Sequence, residues 1–367
     1  MSRPGRRPVS AASARDIECV LVTGAGASRE FGVNGTKLPL MREWSDDLVQ
    51  RLGSRGFGYL DATGLRRDMP AEEFEAVLGR FLRSVEAFNR IEQLLEPSSQ
   101  FPEGQTAFVP PASWSAWHSQ VSFHLDQIIG VIHESLYQLY ASPSVDHIAA
   151  ERSYAGLVGA LGLGQAGRWV YATTNYDTIG EDTLTGLGQL PDVGDVGTSG
   201  ERDIRVERLL DGMPRYVPVI HLHGRVGWFR RREGRAVSSL VQNYAAGNAP
   251  GVPIVMLPDL DKDYDTDPVI SSLWQQFGEA LSRARRVLVL GHSLHDEALI
   301  ERIRGNVDPP ERVGVTYLPN ADDSKYMVEL VRERLPGAAP LPAQFGADTG
   351  VEGIREWVAL TQEVASA

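Results

Sequence analysis

The sequence predicts an α/β fold: a doubly wound, mostly parallel sheet of the Rossmann-like type with a helical insertion. Short apolar runs recur along the 367 residues, and each is continuous rather than alternating in polarity, as in strands buried on both faces of a parallel sheet. Amphipathic stretches lie between some of these runs, for example at residues 268–284. The apolar residues on one face of that helix are Ile270, Leu273, Trp274, Phe277 and Leu281. This succession of strand, helix and strand favours the doubly wound arrangement.

Six apolar runs are predicted to form the strands of this sheet. They lie at 17–24, 168–177, 216–224, 253–258, 285–293 and 312–319. The predicted Rossmann domain therefore consists of residues 17–69 and 166–320. Residues 70–165 read as mostly helical and are predicted to form an insertion lobe over the sheet. The basic, small-residue-rich segment 1–16 is predicted to be a disordered lead-in, residues 186–215 a surface loop, and residues 321–367 a C-terminal helical extension.

The composition excludes several classes of protein. A formal net charge of −12 argues against broad binding to nucleic acid, although a basic segment at 225–235 leaves a local binding role open. The single cysteine, Cys19, excludes a disulfide framework and a cysteine-based zinc cluster, and it favours a reducing compartment. No run of apolar residues is long enough to predict a membrane span. We therefore expect a cytoplasmic protein.

The first predicted strand runs into a glycine turn at Gly24 and Gly26. Such a turn allows the backbone to approach a pyrophosphate, although a lone Gly-x-Gly can also be a simple strand-to-helix turn. A dehydrogenase fingerprint needs a third glycine where this chain has Arg29, and an acidic residue ending a second strand about 20 residues later. That distance falls within residues 38–52, whose leucines and Trp44 predict an amphipathic helix. The sequence therefore does not support hydride transfer.

Four motifs stand at the carboxyl ends of predicted strands, the edge where open α/β sheets bind ligands. They are GAGAS (24–28), TTNYD (173–177), HLHG (221–224) and GHSLHDEAL (291–299). In order, spacing and chemistry they resemble the sirtuin-like family, particularly its bacterial branch found in anti-phage defence. The resemblance covers most of residues 17–320 and excludes the helical insertion.

The resemblance implies NAD as the substrate and gives each motif a role. Gly24, Ala25, Gly26 and Ser28 would cradle the pyrophosphate and the neighbouring ribose of NAD. Asn175 and His223 would be the catalytic asparagine and histidine, and Asp177 the acid of the nicotinamide pocket, with Thr174 beside it. Gly291, Ser293 and Asp296 would line the adenosine side.

The chain departs from the protein-deacylating sirtuins in three ways. It lacks the four cysteines of their zinc ribbon, it has residues 29–40 (REFGVNGTKLPL) in place of a GIPDFR-like continuation, and Thr174 stands where they usually have glutamine. The resemblance therefore implies an NAD+ glycohydrolase that depletes NAD+ in infected bacteria. An NAD-dependent deacylase and a non-catalytic NAD or ADP-ribose sensor remain alternatives. Relatives in this branch often form homo-oligomers or act with a separate partner such as a hexameric translocase ATPase.

The residues are suited to cutting NAD with water. The nicotinamide ring is already cationic in NAD+ and departs as a neutral molecule, so its departure needs no general acid. An asparagine amide can position water, a histidine can accept a proton, and Asp177 can oppose the developing positive charge.

Simpler explanations exist for single residues. His221 and His223 could bind a metal, although no third ligand accompanies them and we expect none. Asn175 could cap a helix, and His223 could be a core histidine. The Ser, His and Asp of GHSLHD do not match a nucleophile elbow, which needs glycine at the position of His295.

Overall fold

A computed structural model of the protein describes residues 17–55, 64–95, 112–141, 144–164, 168–197, 200–213, 215–239, 250–257, 264–265, 267–319, 324–343 and 350–366. The lead-in predicted at 1–16 lies outside the described residues. Among the described residues, no helix is both long enough and apolar enough to cross a membrane.

The core of the molecule is a seven-stranded, fully parallel sheet, which confirms the predicted fold class. Its strands are β1 (Cys19–Thr23), β2 (Trp169–Thr173), β3 (Pro191–Asp192), β6 (Val217–His221), β10 (Val287–Leu290), β11 (Val313–Tyr317) and β12 (Ala339–Pro342). Their order is β12-β11-β10-β1-β2-β6-β3. The strands up to β6 lie on one side of β1, with β3 at the edge beyond β6, and those from β10 onward lie on the other side. The topological switch point is therefore between β1 and β10.

Helices cover both faces of this sheet. On one face lie α7 (Pro268–Arg283), α8 (Glu297–Asn306) and α9 (Ser324–Arg334), packed on residues such as Val20 and Val22 of β1. On the other face lie α5 (His147–Ala160), α6 (Ile179–Gly186) and α10 (Glu352–Ser366), packed on Cys19 and Leu21. Successive residues of a strand point to opposite faces, so burial on both faces requires the continuous apolar runs seen in the sequence.

A second, antiparallel sheet stands beside the first. Its strands are β4 (Asp195–Val196), β5 (Arg202–Ile204), β7 (Gly224–Arg230), β8 (Ala236–Ser238) and β9 (Val252–Val255), in the order β4-β5-β8-β7-β9. The run at 253–258 was predicted as a strand of the parallel sheet, and this placement is wrong because β9 pairs antiparallel with β7. The surface loop predicted at 186–215 likewise contains β3, β4 and β5.

The helical lobe is made of α2 (Met41–Ser54), α3 (Ala71–Leu95) and α4 (Ala112–Tyr140). Trp44, Leu48 and Leu52 of α2 share one core with α4 and with Phe229 of β7. The lobe therefore begins earlier than the predicted boundary at residue 70, whereas α5, inside the predicted insertion, packs on the main sheet. The remaining short helix, α1 (Ala25–Ser28), follows β1 directly. Within the predicted helical extension 321–367, β12 adds a strand to the main sheet.

Candidate active site

One pocket of about 700 Å³ opens at the carboxyl ends of β1, β2, β6 and β10, beneath the helical lobe. The structure brings nearly all the predicted site residues to its wall. They are Ala25, Gly26, Ser28, Thr174, Asn175, Asp177, His223, Gly291, Ser293 and Asp296. Gly24 does not line the pocket. The lobe and the segment that leads into it contribute an apolar wall that sequence reasoning did not assign, formed by Leu38, Pro39, Leu40, Met41 and Leu139.

The glycine turn packs against the chain that leaves β10. Gly24 donates its N–H to the carbonyl of Leu290 at 3.0 Å, and Gly26 donates to the carbonyl of Gly291 at 2.9 Å. A Cβ atom would lie 2.7 Å from the Gly291 carbonyl oxygen if built on Gly24, and 2.9 Å from it if built on Gly26. Glycine is therefore required at both positions by a close approach of two backbone segments. Their predicted contact with a pyrophosphate stays a prediction.

Asn175 follows β2 and is buried, with its side chain turned toward the glycine turn. The amide nitrogen Nδ2 donates to the carbonyl of Gly24 at 3.3 Å and to Oγ of Ser28 at 3.1 Å. A carbonyl oxygen can only accept, which fixes the nitrogen on this side and leaves Oδ1 as the group presented elsewhere. The N-cap of the next helix, α6, is Thr178, so Asn175 does not cap it. The side-chain oxygen of Asn175 can accept a hydrogen bond from a ligand or a water.

His223 lies in the short turn between β6 and β7. Its Nε2 is 2.8 Å from Oδ2 of Asp296, the residue that caps α8 by accepting from the Leu299 amide at 3.1 Å. The hydroxyl of Tyr264 donates to Oδ1 of Asp296 at 3.0 Å. The main chain of His223 is also held, because its carbonyl accepts from the Met256 amide at 2.8 Å. The histidine is thus anchored through both ring and backbone.

Asp177 lines the pocket from the start of α6, where its Oδ1 accepts from the Ile179 amide at 3.0 Å. Burial raises the pKa of Asp177 to about 6, although the hydrogen bond from Ile179 and the nearby His221 act in the opposite direction. This carboxyl group therefore titrates near neutral pH, as groups at reactive sites often do.

A buried cluster of His221, Glu181 and Arg225 lies behind the pocket. His221 Nε2 is 2.6 Å from Oε1 of Glu181, and Arg225 donates to both oxygens of Glu181 at 2.7 and 2.8 Å. Burial opposes ionisation of Glu181, but Arg225 and the hydrogen bond from His221 outweigh it and lower the pKa of Glu181 to about 2. The other ring nitrogen of His221 is 3.4 Å from the backbone oxygen of Asn175, so the cluster also supports the segment that carries Asn175.

The two histidines of the HLHG motif do not act as a pair. His221 is the last residue of β6, whereas His223 lies beyond the strand, so the alternation of a strand no longer relates their side chains. Each contacts a different carboxylate, Glu181 and Asp296. Among the described residues, no group of three or more His, Cys, Asp or Glu side chains is arranged to hold a metal ion.

The pocket is acidic, and its charge was only partly foreseeable from the motifs, which contain three of the carboxylates in its lining. Its described lining includes five carboxylates and no lysine or arginine. These carboxylates are Glu75, Asp177, Asp296, Glu297 and Glu301. Glu75 belongs to the lobe, and Tyr264 stands outside any described helix or strand, so neither carried a local signal.

The basic segment 225–235 is largely neutralised by acidic partners. Arg225 pairs with the buried Glu181, and Arg230 donates to Asp267 at 2.8 Å. Arg231 and Arg235 both pair with Glu201. Arg225 and Arg230 thus tie the antiparallel sheet to α6 and to the start of α7, which weakens the interpretation of the segment as a nucleic-acid contact.

Comparisons with known proteins give similarities only among solved structures. No family model matches the chain, and no curated protein matches it. The chain is similar to a Sir2 homologue in complex with NAD, at 11% identity, over 95% of this chain and 90% of that chain, with a TM-score of 0.39. A histidine-to-asparagine variant of a Sir2 homologue with ADP-ribose gives 12% identity, 96% of each chain and a TM-score of 0.37. A Sir2 complex with a p53 peptide and NAD+ gives 10% identity, 95% of this chain, 93% of that chain and a TM-score of 0.31. The fold itself is established by the strand order and register of this chain.

Proposed function

We propose that the protein is an NAD+ glycohydrolase, which cleaves NAD+ with water to give nicotinamide and ADP-ribose. The observation that carries the proposal is the convergence of Asn175, Asp177 and His223 on one pocket at the carboxyl edge of the sheet. Ligands of open α/β sheets bind at this edge, beside the point where the strand order reverses. A pocket of about 700 Å³ is within the usual range for ligand sites, and its apolar wall suits the flat faces of the two bases.

The reaction has two parts, the departure of nicotinamide and the attack of a water molecule on the ribose. The bond between nicotinamide and C1′ of the ribose breaks with its electron pair going to the pyridinium nitrogen, so nicotinamide leaves neutral. Positive charge then develops on the ribose, and the carboxylate of Asp177 opposes it. Oδ1 of Asn175 accepts a hydrogen bond from the water and orients it.

His223 accepts the proton of that water. Nε2 faces Asp296 and carries the hydrogen of that contact, so the neutral ring has its lone pair on Nδ1. The water oxygen bonds to C1′, and its proton passes to Nδ1 and then to solvent. A neutral imidazole is suited to this step near pH 7.

The physiological role belongs to the same proposal. The four motifs and the missing zinc-ribbon cysteines support depletion of NAD+ in a bacterial anti-phage response by a cytoplasmic protein. As the resemblance implies, the protein would form a homo-oligomer or act with a separate partner such as a hexameric translocase ATPase.

Incubation of the purified protein with NAD+, followed by chromatography of nicotinamide and ADP-ribose, tests the reaction. Asn175→Ala and His223→Ala should each lower turnover by about a hundredfold or more, because each removes a group that acts in the transition state. His147→Ala, at the exposed start of α5, is the matched control and should keep full activity. Full activity in either pocket variant would contradict the assignment of that residue.

The same assay separates the alternatives. We expect nicotinamide release in the absence of any acylated peptide, with free ADP-ribose as the main product. Release that required acyl-lysine would indicate a deacylase instead. Binding of NAD+ without any turnover would indicate a sensor.

A further inference from the structure

Asp296, which was predicted from the sequence to line the adenosine side, lies in the wall of the pocket, and its carboxylate is also held by protein groups. Three donors converge on its carboxylate: Nε2 of His223 at 2.8 Å, the Tyr264 hydroxyl at 3.0 Å and the Leu299 amide at 3.1 Å. These three donors occupy most of the acceptor sites of the carboxylate and fix its orientation.

Tyr264 is held in its donor form. Burial and the neighbouring Asp296 raise the pKa of Tyr264 well above its ordinary value, so the hydroxyl keeps its proton. The ring of Tyr264 also packs edge-on against Trp274, with 4.3 Å between ring centroids. Trp274 in turn donates to the carbonyl of Leu222 at 2.9 Å, next to His223. The tyrosine is therefore fixed relative to the turn that carries the histidine.

We propose that Asp296 is a positioning residue for His223, and that Tyr264 steadies Asp296 in this role. The carboxylate keeps the proton of the neutral ring on Nε2 and limits rotation of the ring, which leaves Nδ1 as the base for the attacking water. The role of His223 as a base rests on the proposed function, whereas the effect of Asp296 on the tautomer of His223 does not depend on it. A residue that hydrogen-bonds a catalytic histidine commonly supports activity by fixing the tautomer and the orientation of the ring.

The ionisable groups around the ring come from several elements. Asp296 precedes α8, and Tyr264 and Tyr176 flank the ring with 6.4 Å between their ring centroids and that of His223. Glu75 of the lobe interacts electrostatically with both tyrosines. The carboxylate of Asp296 makes the hydrogen bond to the ring, so its charge should have the largest effect on the titration of His223.

Asp296→Asn tests the inference with little change in shape. Asparagine is as good a helix cap as aspartate, so the cap on Leu299 should survive. The amide would then turn its NH₂ group toward Nε2, which must accept, and the proton of the neutral ring should move to Nδ1. In full-length protein labelled with ¹⁵N-histidine, we expect the Nε2–H tautomer in the parent and a shift toward Nδ1–H in the variant. The pKa of His223 should fall by about one unit or more.

Activity and binding supply the other readouts. Turnover of NAD+ should fall by about tenfold to a hundredfold, while the affinity for ADP-ribose, measured by calorimetry, should change less than about twofold. Tyr264→Phe should cause a smaller loss of turnover, with the tautomer retained. Asp146→Asn is the matched control, because Asp146 caps α5 through the Ala149 amide at 3.0 Å and lies outside the pocket.

The outcomes separate two possible failures. An unchanged tautomer and pKa of His223, together with a large loss of ADP-ribose affinity, would overturn the inference and restore the adenosine-side role of Asp296. If the parent protein releases no nicotinamide, the proposed function fails, whereas the NMR result still decides whether Asp296 sets the tautomer of His223. Should Asp296→Asn not fold, Tyr264→Phe carries the test: a loss of turnover at unchanged affinity for ADP-ribose would support the inference, and unchanged turnover would overturn it.

Discussion

Gly26 and Gly291 are joined by a backbone hydrogen bond of 2.9 Å between the two loops that follow β1 and β10. The two strands are neighbours in the sheet, and their loops meet at the topological switch point. The glycines of this turn therefore allow two backbone segments of the protein to pack closely together, and the pocket lies beside this contact.

Gly26→Ala should lower the stability of the protein. The added Cβ would lie 2.9 Å from the Gly291 carbonyl oxygen, so we expect a loss of about 1–3 kcal/mol in the free energy of unfolding. Gly156→Ala in α5 is the control, because a Cβ added there would meet nothing within 4 Å and alanine should stabilise the helix slightly. Urea unfolding of both variants measures the difference. Equal stability of the Gly26 variant and the parent would show that the two loops can separate without cost.

The Asp177 carboxyl group should give activity and stability opposite responses to pH. Its pKa in the folded state, about 6, lies above the ordinary value of 3.8, so the folded protein binds this proton more tightly than the unfolded chain does. The free energy of unfolding should therefore fall by about 2 kcal/mol from this group as the pH rises from 4 to 6. Activity should rise over the same window, because the ionised carboxylate is the form that opposes positive charge on the ribose.

Asp177→Asn should remove the pH dependence of both the free energy of unfolding and the activity over this range. Rates and unfolding curves recorded between pH 4.5 and about 7.5 on parent and variant provide the measurement. A variant that keeps the acidic limb of the parent's rate profile would assign that limb to another group.

The pocket should prefer NAD+ to NADP+. Its five carboxylates face a ligand without a lysine or arginine in the described lining, and a 2′-phosphate is usually accommodated by an arginine. We expect kcat/KM for NADP+ to be at least about tenfold lower, since like charges placed close together cost several kcal/mol. Added salt should reduce the preference for NAD+ because it screens the carboxylates. Glu301→Gln should also reduce it, because the variant removes one of these charges. Initial rates with both dinucleotides at two ionic strengths test this, and equal rates would contradict it.

Loss of Arg225 should destabilise the protein strongly. Arg225→Met would leave the carboxylate of Glu181 buried without its cationic partner, which typically costs about 3–5 kcal/mol. Arg66→Met, whose partner Glu73 is exposed, should cost less than about 1 kcal/mol. Thermal unfolding of both variants gives the comparison. A double variant that replaces Glu181 as well should recover part of the loss, because it removes the unpaired charge.

The strands that could be predicted are those buried on both faces. β1, β2, β6, β10 and β11 have continuous apolar runs because helices cover both sides of the sheet. β3 and β12 escaped detection because they are short and contain proline. The direction of β9 could not be read either, since an apolar run does not reveal which strand will pair with it.

The candidate site was predictable as a set of motifs but not as a set of contacts. Asn175, Asp177 and His223 each follow a predicted strand, so the edge rule for parallel sheets brings them together. The contact between His223 and Asp296 joins residues 73 positions apart, and nothing local to either residue indicates it. The lobe boundary was missed for a similar reason, because the partner of the α2 stripe is α4, far along the chain.

The two outer strands of the main sheet both contain proline. Pro191 begins the two-residue β3, and Pro340 and Pro342 lie in the four-residue β12. Proline has no N–H to donate, and a short strand offers few hydrogen bonds to an added strand. Both edge strands are therefore poor templates for further strand pairing. A partly unfolded copy of the chain should therefore pair poorly with either outer strand, which limits edge-to-edge aggregation of this sheet.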